Sequence, residues 1–308
     1  MTKIAIAGIG GVGGYFGGML AKHFEDSKEV EIYFIARGEN EKAIQKNGLR
    51  VETTKGNFVA YPKLTTSKPE EIGVVDYLIC CTKSYDLEKS MNQLKPCIGK
   101  QTVILPLHNG VDSSEKIKAM FPGIEVWLGC VYIVAQLSEP GLVKETGSIA
   151  TFYFDSENGT SNKLDRAETL FKEAGVNAIL PDDIKQTIWK KFLFISPMAT
   201  LTSYLDVKFG DILSNEEHKR LLGLLLNEIK AVADAKGINF PDDILEKTFA
   251  TILALPKDIT TSMHRDFQKG KTTEIESLTG YVVKQGKLFN VPTPTYEMMY
   301  EDLKTRNS

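Results

Sequence analysis

The chain has 308 residues and a mass of 34.2 kDa, enough for two domains of roughly 150 residues, each able to bury its own core. Apolar residues at 42% and charged residues at 25% exclude a disordered chain. A balance of 37 Lys+Arg against 40 Asp+Glu, net −3 with a pI near 5.9, offers no basic excess for nucleic acid or an anionic membrane surface.

The four cysteines, of which Cys80 and Cys81 are adjacent, form neither a disulfide scaffold nor a metal-ligand spacing, so no metal is expected. The chain reads as a cytoplasmic protein of a reducing compartment. Ile4 to Ala21 carries no charge and invites a reading as a membrane span or signal peptide. Seven of those eighteen residues are glycine, which suits neither.

Lys3 to Ala7 is a short β-branched run that predicts a buried strand, followed by a glycine turn and a helix to about Phe24. Val30 to Ala36 predicts a second strand and completes a βαβ unit. Residues 40–62 predict a short helix and a hairpin, Val74 to Cys81 another strand, and Thr102 to Pro106 a further one, with helices starting near Ser84 and Asp112. This alternation predicts a Rossmann-type, doubly wound, mostly parallel sheet. It is expected to end in antiparallel strands near 126–135 and 149–154, joined at Glu139-Pro140-Gly141. Beyond Leu180 no strand pattern remains, and helical periodicity recurs near 182–205, 215–236, 241–254 and 273–289, with a last helix after Pro294. The reading is α/β: a dinucleotide-binding domain over 1–180, then an all-α domain over 181–308 opened by Pro181.

Gly8-Ile9-Gly10-Gly11-Val12-Gly13 matches G-x-G-x-x-G after a strand and before a helix, the context in which that pattern binds a dinucleotide. The first glycine permits the turn, the second lets a pyrophosphate approach the backbone, and the third lets helix and strand pack. Where an NAD-binding version carries an acidic residue, this chain has Arg37. A guanidinium there can take a 2′-phosphate through paired hydrogen bonds, which favours NADP; the plain alternative is a solvated arginine. Lys83 follows the next strand at the carboxyl edge, where it serves cofactor, substrate anion or solvent. Asn109, in His108-Asn109-Gly110, either offers its amide to a ligand or is a turn residue.

Two charges occupy inward positions. At about 100° per residue, Ile184, Ile188, Phe192, Ile195 and Ala199 share a stripe into which Lys191 falls, while Lys190 points away. An ammonium facing the interior is costly unless it is paired or functional, although a lysine stem can also lie along an apolar face. Glu274 falls similarly between Tyr281 and Leu278, while Glu276 projects outward. A buried Lys191 and Glu274 would satisfy each other and mark a functional site.

In this order, the glycine turn, Ala36-Arg37, Thr82-Lys83-Ser84, His108-Asn109-Gly110, Trp189-Lys190-Lys191, Ser262-Met263 and Thr273-Glu274-Ile275 resemble the ketopantoate reductase (2-dehydropantoate 2-reductase) family over about residues 3 to 300. The resemblance implies reduction of 2-dehydropantoate to (R)-pantoate by NADPH, in pantothenate and coenzyme A synthesis. It places Arg37 and Lys83 on NADP and makes Lys191 the catalytic lysine. Asn109, Ser262 and Glu274 would line the substrate, in a cleft between the two domains. Glu274 would orient Lys191 or accept from a substrate hydroxyl.

One departure bears on the substrate. Family members often carry asparagines four and eight residues after the catalytic lysine, where this chain has Ile195 and Ala199. Ser196, Thr200 or Thr202 would compensate if Pro197 shifts the helix register. Two further readings stand beside the first: a dehydrogenase of the same architecture for another 2-oxo or 3-hydroxy acid, and a dinucleotide-sensing protein without catalysis. The partners expected are a small 2-oxo acid and a second copy of the chain, although no heptad seam specifies a dimer; no nucleic acid or membrane partner is expected.

Overall fold

The computed structural model describes residues 1–306, the side chain of Ser148 apart. The chain divides into two compact units, Met1–His108 with Asp112–Ile184, and Asn109–Val111 with the segment from Lys185 onward. The division therefore falls four residues beyond the expected boundary between 180 and 181, and the short stretch Asn109–Val111, after the strand Val103–Pro106, groups with the helical unit.

The first unit contains, in order, β1 (Thr2–Ala7), α1 (Gly11–His23), β2 (Val30–Ile35), α2 (Gly38–Asn47), β3 (Leu49–Thr53), β4 (Gly56–Ala60), β5 (Leu64–Thr66) and β6 (Tyr77–Cys80). It continues with α3 (Leu87–Gln93), β7 (Val103–Pro106), α4 (Ser113–Met120), β8 (Glu125–Val126), β9 (Leu128–Glu139), β10 (Leu142–Asp155), α5 (Asn162–Glu173) and β11 (Asn177–Ile179). Six strands form a parallel sheet in the order β5-β2-β1-β6-β7-β8. Its strands are buried on both faces, as continuous apolar runs require. Cys80 lies in that core, and burial raises its thiol to about 12, so it stays an unreactive apolar group.

The register sets up the candidate site. Ala7 pairs with both Ile35 and Cys80, and Cys80 pairs with Pro106. Four strands thus end on one line, and the segments that follow them (the glycine turn, Arg37, Lys83 and His108) emerge at the same carboxyl edge. That is the edge at which doubly wound sheets bind ligands.

The expected antiparallel strands do not end this sheet. β9 and β10 pair with each other, and β10 joins a separate sheet, β11-β10-β3-β4. Helix α1 lies between the two sheets, which explains its glycines by packing. A Cβ on Gly17 would press on Ile6 and Phe34, whereas one on Gly14 would meet Val143 and one on Gly18 would meet Val51. A helix buried on both sides has no solvent face to carry charge, hence the uncharged run.

The second unit contains no strand among its described residues, and its longer elements are α6 (Ile184–Leu205), α7 (Phe209–Ser214), α8 (Glu216–Ala235), α9 (Ile244–Leu253), α10 (Ser262–Gln268), α11 (Tyr281–Phe289) and α12 (Pro294–Arg306). α6 begins at Ile184 rather than at Pro181 and runs through Pro197. The stretch predicted as one regular helix over 273–289 begins as a π-helical segment, Glu276–Gly280, directly before α11; such segments occur frequently at functional sites. Trp189, Phe192 and Tyr281 pack together, edge-on where Phe192 meets the other two and tilted between Trp189 and Tyr281, with centroids 5.5 to 6.3 Å apart, and fix α6 against α11. No helix among the described residues is long and apolar enough to cross a membrane.

Candidate functional site

Within the first unit, three of the four glycines of the turn show three different constraints. Gly8 has φ +92°, and a Cβ there would lie 2.8 Å from the Cys81 carbonyl carbon and the Thr82 nitrogen. A Cβ on Gly13 would lie 2.2 Å from the Gly8 oxygen. At Gly10, by contrast, an added Cβ meets nothing within 4 Å. Gly10 is also the N-cap of α1 and brings no side-chain cap. The first-turn amides of Gly11, Val12 and Gly13 therefore have no side-chain acceptor from the cap, and the open space faces the positive end of the helix. This arrangement fits a pyrophosphate.

A residue that sequence reasoning missed braces the turn. Asn40 donates from Nδ2 to the Ile9 carbonyl at 2.8 Å and accepts from the Gly141 amide through Oδ1 at 2.8 Å. It sits in the first turn of α2, three residues after Arg37, and its partners lie 31 and 101 residues away. Its only local signal was an asparagine near a helix start, where asparagine is common for other reasons.

Arg37 is the extended N-cap of α2 and is exposed; its guanidinium lies 4.0 Å from the Asp86 carboxylate. Lys83, also exposed, precedes the 3-10 turn Ser84–Asp86. Both cations thus stand at the carboxyl edge, on neighbouring segments.

His108 leaves the same edge in a different state. It is 6% exposed, with Nε2 3.3 Å from the Thr82 hydroxyl and Nδ1 without a hydrogen-bond partner. Burial lowers its pKa from an ordinary 6.5 to about 4; Asp112 opposes the shift and Lys116 adds to it. The folded chain therefore holds this imidazole neutral, whereas the unfolded chain protonates it below about 6.5. Stability contributed by the neutral form is complete above pH 6.5 and declines with acid down to about pH 4. His108→Gln is expected to flatten that part of a urea-midpoint-versus-pH curve. Parallel curves for the two proteins would assign the acid sensitivity to other groups.

In the second unit, three of the residues singled out by sequence come together. Lys191 on α6 is half-buried and donates from Nζ to Asn109 Oδ1 at 3.0 Å. Asn109 in turn donates from Nδ2 to Glu274 Oε2 at 3.3 Å, and Glu274 is 4% exposed. The amide is oriented by charge, with its oxygen toward the ammonium and its nitrogen toward the carboxylate. Asn109 is therefore more than a turn residue, and the expected mutual satisfaction of Lys191 and Glu274 includes an amide linking the two. Burial alone does not separate Lys191 from Lys190, since both are half-buried; the bond to Asn109 distinguishes Lys191. A lysine ammonium is both a hydrogen-bond donor and a cationic acid, chemistry suited to polarising a substrate oxygen and supplying a proton.

Ser262 opens α10 and is half-buried, but the partners of the Asn109 amide are Lys191 and Glu274, so Ser262 does not join this group through it. The start of α10 is held to the end of α6 by buried His264. Its Nε2 lies 2.7 Å from Asp206 Oδ1 and its Nδ1 lies 2.6 Å from the Thr260 hydroxyl.

The three hydroxyls proposed to replace missing amides are committed elsewhere. Ser196 donates to the Leu278 carbonyl and contacts Tyr296, each at 2.7 Å; Thr200 pairs with Thr279 at 2.8 Å; Thr202 donates to the Met198 carbonyl at 2.7 Å. All three are buried inside the helical unit. Pro197 leaves the helix unbroken, so these side chains face the core rather than a ligand.

Comparison with known proteins bears on the chemistry. A family model described as ketopantoate reductase PanE/ApbA matches residues 4–158, and one described as ketopantoate reductase PanE/ApbA C terminal matches residues 183–307. The chain is 30% identical over 303 residues to the uncharacterized oxidoreductase YkpB of Bacillus subtilis (strain 168), covering 98% of each protein. Its fold is similar to that of 2-dehydropantoate 2-reductase from Porphyromonas gingivalis W83, with a TM-score of 0.86, 38% identity and coverage of 98% of this chain and 99% of that one. It is also similar to D-mandelate dehydrogenase in a ternary structure with NADH and anilino(oxo)acetate, with a TM-score of 0.84, 27% identity and coverage of 99% and 98%.

Proposed function

Because this chain belongs to the ketopantoate reductase family and is an oxidoreductase of that family, we propose that it reduces the ketone of a 2-oxo acid, 2-dehydropantoate foremost, with NADPH. The observation that carries the reading is the Lys191–Asn109–Glu274 group: an ammonium oriented by a neutral amide whose other end is held by a buried carboxylate.

The residues divide the work. The amides that open α1 and the space at Gly10 receive the pyrophosphate, Arg37 takes the 2′-phosphate, and Lys83 adds positive charge at the same edge. NADPH, when bound, supplies a hydride. Lys191 donates a hydrogen bond to the substrate's carbonyl oxygen, stabilises the charge that develops there and gives up the proton that the alkoxide needs. Asn109 holds the ammonium in one orientation. Glu274 holds the Asn109 amide in place and can accept from a substrate hydroxyl.

The reading is tested by following loss of NADPH absorbance with a panel of 2-oxo acids. Turnover with at least one is expected; tight NADPH binding without turnover of any would leave a dinucleotide sensor. Arg37→Asp is expected to raise the KM for NADPH well above that for NADH, because a carboxylate would then face the phosphate. An unchanged coenzyme preference would remove Arg37 from the phosphate.

A second reading concerns the substrate's tail. Ile195 and Ala199 are apolar, and the neighbouring hydroxyls of Ser196, Thr200 and Thr202 are bonded within the core. A site built to hydrogen-bond a hydroxyl rejects analogues without one, whereas an apolar wall does not. Ala199 is fully buried in the helical core and Ile195 packs against it, so the chain lacks the two amides without gaining a hydroxyl in their place. A 2-oxo acid whose tail carries no hydroxyl is the second reading, and the substrate panel separates the two by kcat/KM.

A further inference from the structure

The Arg37–Asp86 contact has a consequence for coenzyme choice. Asp86 ends the 3-10 turn after β6, and its Oδ2 lies 4.0 Å from an Arg37 terminal nitrogen. The two side chains are 36% and 60% exposed, so a solute can reach both, and an exposed pair of this kind adds little to stability. At the carboxyl edge of the sheet, however, the same carboxylate occupies the surroundings of the guanidinium proposed to receive a 2′-phosphate.

We infer that Asp86 is a specificity-determining residue for the coenzyme: it is a built-in counter-ion of Arg37 that opposes a 2′-phosphate and leaves a 2′-hydroxyl unaffected. The inference rests on the reading that Arg37 faces that position. A phosphate brings a charge of about −1.5 to −2. Its gain from Arg37 is reduced by repulsion from a carboxylate already beside the guanidinium, a penalty that a neutral ribose hydroxyl escapes. Preference for NADPH is therefore lower than Arg37 and Lys83 alone would set.

The test uses the full-length protein and two small probes, 2′-AMP and 5′-AMP, alongside both coenzymes. Asp86→Asn keeps the side chain's shape and removes its charge. It is expected to tighten 2′-AMP binding and lower the KM for NADPH by roughly two- to tenfold, the size of one or two exposed charge interactions. The values for 5′-AMP and NADH should stay within about twofold, and the gain should shrink as salt is raised. A residue that merely shaped the turn would weaken both probes when replaced. Equal changes for both probes, or no gain for 2′-AMP, would overturn the inference. If Arg37→Asp also leaves coenzyme preference unchanged, the phosphate assignment fails; if Arg37→Asp shifts it and Asp86→Asn does not, only the role of Asp86 fails.

Discussion

Lys191→Ala is expected to lower turnover by about 10²–10⁴-fold, the contribution of a positioned general acid, while NADPH still binds. The ammonium is the one member of the Lys191–Asn109–Glu274 group able to give up a proton as a cationic acid, and Asn109 and Glu274 serve to keep it placed. The substitution also removes the donor that Asn109 Oδ1 accepts from, so some loss of stability is expected. A fluorescence titration with NADPH separates loss of chemistry from unfolding. Lys191→Arg should not restore turnover, because a guanidinium holds its proton too tightly to act as an acid. Near-normal steady-state turnover in the alanine variant would remove the lysine from its proposed role.

The second large effect is a contrast between two glycines three residues apart. Gly10 has φ −99°, which any residue can adopt, and an added Cβ there meets no protein atom within 4 Å. Gly10→Val should leave the melting temperature nearly unchanged and weaken NADPH binding by at least about tenfold, or 1.4 kcal/mol, because the branched side chain fills the space proposed for the pyrophosphate. Gly13→Val would place a Cβ 2.2 Å from the Gly8 oxygen, a backbone atom that cannot turn aside. It should cost stability on the order of 1–3 kcal/mol or more, as overpacking does, and disrupt binding as well. Calorimetry and coenzyme titration on the two variants would check the pair. Equal melting temperatures with equal binding losses would mean that the two glycines do the same job.

Much of the functional reading was legible because it rests on local patterns. The glycine turn is read from spacing along one short segment, and the strands β1, β2, β6 and β7 from apolar runs bounded by turns. Helical periodicity picked out Lys191, which is half-buried like Lys190 and is told apart only by its bond to Asn109. It also picked out the buried position of Glu274, although the helix assumed there begins with a π-helical segment. Periodicity reports which face of an element is inward. It does not report what lies opposite.

That limit separates what the amino-acid order determined from what folding decided. The βαβ beginning, the glycine turn, the placement of Arg37 after β2 and the buried carboxylate of Glu274 follow from the chain's own local chemistry. The link between Lys191 and Glu274 does not: it runs through Asn109, 82 residues from one and 165 from the other. Nor does the departure of β9 and β10 into a second sheet, because an apolar strand fits either sheet until its neighbours are known. The hydroxyls of Ser196, Thr200 and Thr202 were ambiguous for the same reason, and Leu278, Thr279 and Met198 resolved them. A polar group's role is set by the partner that satisfies it, and here most of those partners reach each position only when distant segments pack together.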